Sequence, residues 1–301
     1  MFLLRLAVIL IAFIFLCSCS NSQADASEKK LEHSSGSNEI ILTTNNTYSW
    51  HSNYDIKDAL INRIPVPEGF KRTTEKIGSF ADWLRFLPLK PGNPDVCLYN
   101  GKLKNYQGGH YALVDIDVGK TDIQQCADAV MRMRAEYLYS IKEFELLHFN
   151  FTSGHSIGFK KWVEGYRTVI KDNNVSWSMT TSADNSYKTF KGYMNTIFNY
   201  AGTSSLSKEL KKVSDISDIK IGDVFIVGGF PGHAVLVIDV CVNSVSGEKL
   251  FLIQQSYMPA QDIHILKNLN NAIQSPWYSV RFASDLETPE WTFSKDQLMR
   301  F

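Results

Sequence analysis

The stretch from Ile219 to Val240 constrains this chain more than any other. It reads Ile-Lys-Ile-Gly-Asp-Val-Phe-Ile-Val, then Gly-Gly-Phe-Pro-Gly, then His-Ala-Val-Leu-Val-Ile-Asp-Val. Two runs rich in β-branched residues around a glycine-rich connector predict two antiparallel strands joined by a tight loop. His233 then opens the second strand. An imidazole at a loop-to-strand junction beside three glycines sits where a ligand can reach the backbone, and a ring of this type can titrate near neutral pH.

The N-terminus carries a different kind of signal. Arg5 precedes eleven apolar residues, Leu6 to Leu16, too few to span a bilayer as a helix. They run into Leu16-Cys17-Ser18-Cys19. Leucine at −3 and a small residue at −1 before a cysteine resembles the bacterial lipobox; Cys17 fits less well, because Leu16 would stand at −1. The resemblance implies removal of residues 1–18, a diacylglycerol on Cys19 and a protein lipid-anchored to a membrane of the bacterial cell envelope, with the leaflet unspecified. Two or more acyl chains anchor durably, since each buried CH₂ contributes about 0.8 kcal/mol. An ordinary secretory signal with a chance cysteine is the simpler alternative. Residues 19–38, rich in Ser, Glu and Lys and without an aromatic ring, read as a flexible tether. Residues 39–301 are then the folded part.

The whole chain holds 31 basic and 31 acidic side chains. With no basic run it lacks the electrostatic footprint of a nucleic-acid binder. Cys97, Cys126 and Cys241, the cysteines of the folded part, are too few and too widely spaced for a disulfide framework. No repeat or interior linker interrupts the folded part, so a single domain and a monomer are expected.

Periodicity supplies the other elements. Tyr111 to Val118 alternates and predicts a strand with Asp115 and Asp117 on one face. Thr121 or Asp122 caps a helix from Ile123 to about Ser140, with apolar positions at spacings of three and four. Phe159 to Ile170 reads as an amphipathic helix. A third helix starts at Asp184 and stops at Gly202, and Leu206 to Val213 is a shorter one. Lys249 to Gln255 is the next strand, and Gln261 to Leu266 can pair with it. The tail after Ser275 reads as loops with one closing strand. Helices mostly first and strands mostly later give an α+β fold on a mainly antiparallel sheet.

Cys126 near a helix N-terminus, His233 on a strand and Gln254 or Gln255 further on follow the order that cysteine hydrolases use. The helix dipole and the ring lower the thiol pKa, the thiolate attacks a carbonyl, and the third group orients the ring. The two glutamines are consecutive and face opposite sides of a strand, so only one can enter a site; Gln255 is the candidate. Ile219 to Val240 resembles the histidine motif of papain-like cell-wall hydrolases of the NlpC/P60 and amidase type. That resemblance implies a papain-like fold, His233 as base, a polar third residue at Gln254 or Gln255, and action on an amide of cell-wall peptide. Cys126 departs from the pattern, which places Asp before the cysteine and Ser-Gly after it. A longer portion, about Ile64 to Tyr278, resembles a family of bacterial lipoproteins with a domain of unknown function. Its marks here are Val114 to Gly119, Gln124 to Tyr137, Lys161 to Arg167, Pro231 to Val235 and Gln255 to Gln261.

The rival reading is a non-catalytic lipoprotein of the same fold that binds a peptide or glycan. Cys126 then merely packs on the apolar side of its helix, as free cysteines commonly do. Asp115 and Asp117 with His110 or His233 lack any compact metal-ligand spacing, so neither metal nor cofactor is expected. Arg132, Arg134 and Glu136 read as surface or ion-pair residues.

Overall fold

The strand His233–Asn243 is the axis of the molecule. It carries Val235, Val237, Ile238, Val240 and Val242, and its first nine residues are buried on both faces, which makes it a central strand rather than an edge. The computed structural model describes residues 42–301, so the leader, Cys19 and the tether lie outside the described residues. The sheet runs in the order His110–Leu113, His264–Leu266, Lys249–Gln255, His233–Asn243, Val224–Val227, Leu298–Arg300, Lys211–Lys212. Every neighbouring pair is antiparallel. Phe70–Arg72 joins the far half of the central strand, and Tyr278–Ser279 joins Lys249–Gln255. The described chain is one α+β unit, as the sequence predicts, with Cys126–Ser140 packed on the central strand. Among the described residues no helix is long and apolar enough to cross a membrane.

Register decides which glutamine enters the site. Val227 stands opposite His233 on one side of the central strand, and Gln254 stands opposite Leu236 on the other. Gln255 therefore shares a face with Val235 and His233, while Gln254 points to the reverse face. On its other edge Gln255 is paired with His264.

Several elements differ from expectation; the helix expected at Leu206 to Val213 is Thr203–Glu209, and Lys211–Lys212 instead pairs with Leu298–Arg300 as a strand. The cysteine helix begins at Cys126 itself, with Gln125 as its extended cap residue, because the Asp128 carboxylate accepts the Gln125 N–H at 3.0 Å. The thiol thus stands at the first helical position instead of a turn inside. Phe159–Ile170 is not one helix: Phe159–Val163 is helical, Gly165 turns the chain at φ +99°, and Tyr166–Lys171 pairs with Asn174–Met179 as a hairpin. The strand expected at Tyr111 to Val118 is His110–Leu113. Asp115 and Asp117 leave the sheet and pair with His51 and with Arg132 and Lys191. The tail adds a hairpin, Asp285–Glu287 with Thr292–Ser294, before the closing strand.

Tyr187–Tyr200 starts three residues after Asp184, whose carboxylate accepts the Ser186 N–H instead. Its buried stripe of Phe190, Tyr193, Met194, Ile197 and Phe198 docks it on the core. Its C-terminal end then reaches the mouth of the cavity described next.

Candidate functional site

Thr203 and two glycines set the position of His233. The Thr203 hydroxyl donates to the Gly229 carbonyl at 3.0 Å and accepts the Gly229 N–H at 3.3 Å, with Gly229 at φ +126°. A Cβ on Gly232 would lie 2.5 to 2.7 Å from the Gly229 and Val227 carbonyls and the Thr203 hydroxyl, so only glycine permits this approach. The loop consequently delivers the ring at one place, with Phe230 left 92 % exposed at its tip.

The ring is buried among Tyr257, Trp291 and Phe293, with centroids 4.8, 5.3 and 5.9 Å away. Its Nε2 lies 2.7 Å from Gln255 Oε1. Since an amide oxygen only accepts, Nε2 carries the proton and Nδ1 keeps its lone pair. Burial pushes the imidazole pKa down to about 4. The ring is therefore neutral at neutral pH.

Cys126 and His233 line the same cavity of about 560 Å³, together with Gln125, Phe198, Thr203, Phe230, Tyr257, Met258 and Trp291 among others. The thiol is half-buried. Burial and the nearby Asp128 push its pKa up to about 11, while the backbone amides of Ala127 and Ala234 draw it back. Ala234 follows His233 directly, so the sulfur lies where the central strand begins. Among the described residues no hydrogen bond joins thiol to ring, an arrangement that a bound substrate can tighten. The lowered thiol pKa expected from the sequence is not found. Desolvation outweighs the helix dipole, and the resting pair is a neutral thiol beside a neutral imidazole.

With no standing thiolate, a pair of this kind could attack a carbonyl only by general-base transfer of the thiol proton to the ring during attack. The first amides of the helix have no partners within it and sit at its positive end. An oxyanion forming on a carbonyl at the sulfur would meet them.

The structure brings together Cys126, His233 and Gln255 and leaves Gln254 outside. It adds residues that sequence reasoning missed. Glu290 Oε2 accepts from Gln255 Nε2 at 2.7 Å and pairs with Lys104 Nζ at 2.5 Å. Trp291 arrives on the same turn, where Thr288 Oγ1 donates to the Trp291 carbonyl at 2.7 Å. Tyr257 falls within the segment Gln255 to Gln261 that carries the family resemblance, with no role assigned there; nothing in the local pattern marked Lys104, Glu290 or Trp291. Arg132 and Glu136 form an ion pair, yet both are fully buried.

Fold and site together define an α+β domain whose antiparallel sheet presents a histidine and a glutamine to a helix beginning at cysteine. The model of the family described as a domain of unknown function (4846) matches residues 60–300, and the chain belongs to that family. No match was found among curated proteins or solved structures.

Proposed function

We propose that the domain is a papain-like cysteine hydrolase that cleaves an amide, in a lipid-anchored protein of the bacterial envelope whose substrate is cell-wall peptide. The observation that carries the reading is the bond from His233 Nε2 to Gln255 Oε1 at 2.7 Å, with Cys126 on the same cavity. The Cys126 proton passes to His233 Nδ1 as sulfur attacks the carbonyl carbon, and the helix amides receive the oxyanion. The imidazolium then protonates the leaving amine, and water, deprotonated by the same nitrogen, hydrolyses the thioester and frees the thiol. The test is cleavage of cell-wall peptide fragments by the purified chain, followed by mass spectrometry. Wild-type cleavage that persists in Cys126→Ala would sink the proposal.

One observation favours the rival, a non-catalytic peptide- or glycan-binding protein: the thiol pKa is pushed up to about 11. The thiolate fraction then grows about tenfold per pH unit below that value. Alkylation of Cys126, followed by peptide mapping, is expected to be slow at pH 7 and to climb until about pH 11. Labelling already complete at mildly acidic pH would contradict the neutral pair. Fragment binding without cleavage would favour the binding protein.

The anchor rests on the lipobox resemblance at Cys19. In a bacterial host, Cys19→Ser is expected to release the chain from the membrane fraction. Retention there, with no lipid mass on the N-terminal peptide of the wild type, would remove the lipoprotein reading.

A further inference from the structure

We propose that Glu290, held by Lys104, is a positioning residue that fixes the tautomer His233 presents to the cavity; its catalytic consequence rests on the hydrolase reading, its structural content does not. The argument starts from the Gln255 amide, whose two ends cannot be exchanged without cost. Oε1 faces His233 Nε2 at 2.7 Å. Nε2 faces Glu290 Oε2 at 2.7 Å and His264 Nε2 at 3.4 Å. An ionised carboxylate accepts only. His264 Nδ1 lies 2.8 Å from the Asp262 carbonyl and so bears the proton of that ring, which leaves its Nε2 as an acceptor.

Both amide protons of Gln255 thus have acceptors waiting. Turning the amide over would set a carbonyl oxygen against a carboxylate oxygen in a buried site, where unpaired polar atoms are costly. Lys104 compensates the charge, with side-chain exposures of 10 % for Lys104 and 15 % for Glu290. The held amide accepts from His233, the ring keeps its proton on Nε2, and the Nδ1 lone pair is left for Cys126. Glutamine alone could face either way; the carboxylate behind it makes the choice.

The test uses the full chain with ¹⁵N-labelled histidine. Long-range ¹H–¹⁵N spectra distinguish the two neutral tautomers, and the His233→Gln and His264→Gln variants identify the resonances. In the wild type His233 is expected as the Nε2–H form and His264 as the Nδ1–H form. In Glu290→Gln the new side chain offers either an oxygen or an NH₂, so His233 is expected to show both tautomers. An Nδ1–H ring at His233 in the wild type overturns the proposal without recourse to any variant. So does a His233 spectrum unchanged in a folded Glu290→Gln protein.

For an even mixture of tautomers, kcat falls about twofold at unchanged KM, because half of the molecules are competent. A tautomer shift in a protein without turnover keeps the positioning role and removes the hydrolase reading. Turnover with an unshifted tautomer does the reverse.

Discussion

Cys126→Ala is expected to lower kcat/KM for the cleaved amide by about 10⁴-fold or more, with His233→Ala close behind and the double variant hardly worse. The size follows from the proposed mechanism. Without sulfur there is no covalent intermediate, and without the Nδ1 base a thiol whose pKa lies at about 11 stays protonated at neutral pH. A factor of 10⁴ corresponds to about 5.5 kcal/mol of transition-state stabilisation. The two residues act in one step, so removing the second takes away little that the first had left. The pH profile carries a further signature. His233 must be neutral to act as base, so kcat/KM falls as pH drops through about 4, where the ring gains its proton. Turnover in Cys126→Ala within about tenfold of wild type, or an acid limb near pH 6.5, would contradict this site.

The part of this site on regular strands was legible before the structure. The β-branched runs from Val224 to Val240 and the glycines of the connector placed His233 at a strand start, and consecutive glutamines on one strand meant that a single one could enter. The cysteine helix was legible in extent but not in its first residue. The Asp128 carboxylate reaches back to the Gln125 backbone N–H, a side-chain-to-backbone contact that apolar periodicity does not report. Phe159 to Ile170 misled because Trp162 and Tyr166 stand four apart, as on a helix face. Gly165, whose added Cβ would meet the Thr181 carbonyl at 2.1 Å, turns the chain there, and Thr168, Val169 and Ile170 prefer the strand. Lys104 and Glu290 had no signal at all. They are 186 positions apart; Glu290 sits in an irregular segment with no period, and the pairing of Lys104 with Val96 across the turn at Asn100-Gly101 says nothing of a partner so far along the chain.

The second large effect is on stability, at a pair that seats the helix behind the thiol. Arg132 and Glu136 are both 0 % exposed, joined at 2.6 Å. Glu136 Oε1 also accepts from the Tyr187 hydroxyl at 2.7 Å, and Arg132 donates to Gln124 Oε1 at 2.8 Å. Arg132→Met removes the cation and leaves a carboxylate in the core, with Glu136 Oε2 already lacking any partner among the described residues. The expected loss is about 3–5 kcal/mol, read as a fall in Tm of about 10 °C for a domain of this size. Arg132→Met combined with Glu136→Leu is expected to recover most of it, because no buried charge is left uncompensated and the volume stays filled. A single variant within about 1 kcal/mol of wild type would mean that water reaches the pair. Gln124 precedes Gln125 and Cys126, and its carbonyl accepts from Ser256 Oγ at 3.1 Å, one residue beyond Gln255. The arginine therefore steadies the segment that ties the thiol to the glutamine strand. Recovery of Tm in the double variant without recovery of turnover would place the worth of Arg132 in seating Cys126 against that strand, over and above its part in holding the helix to the core.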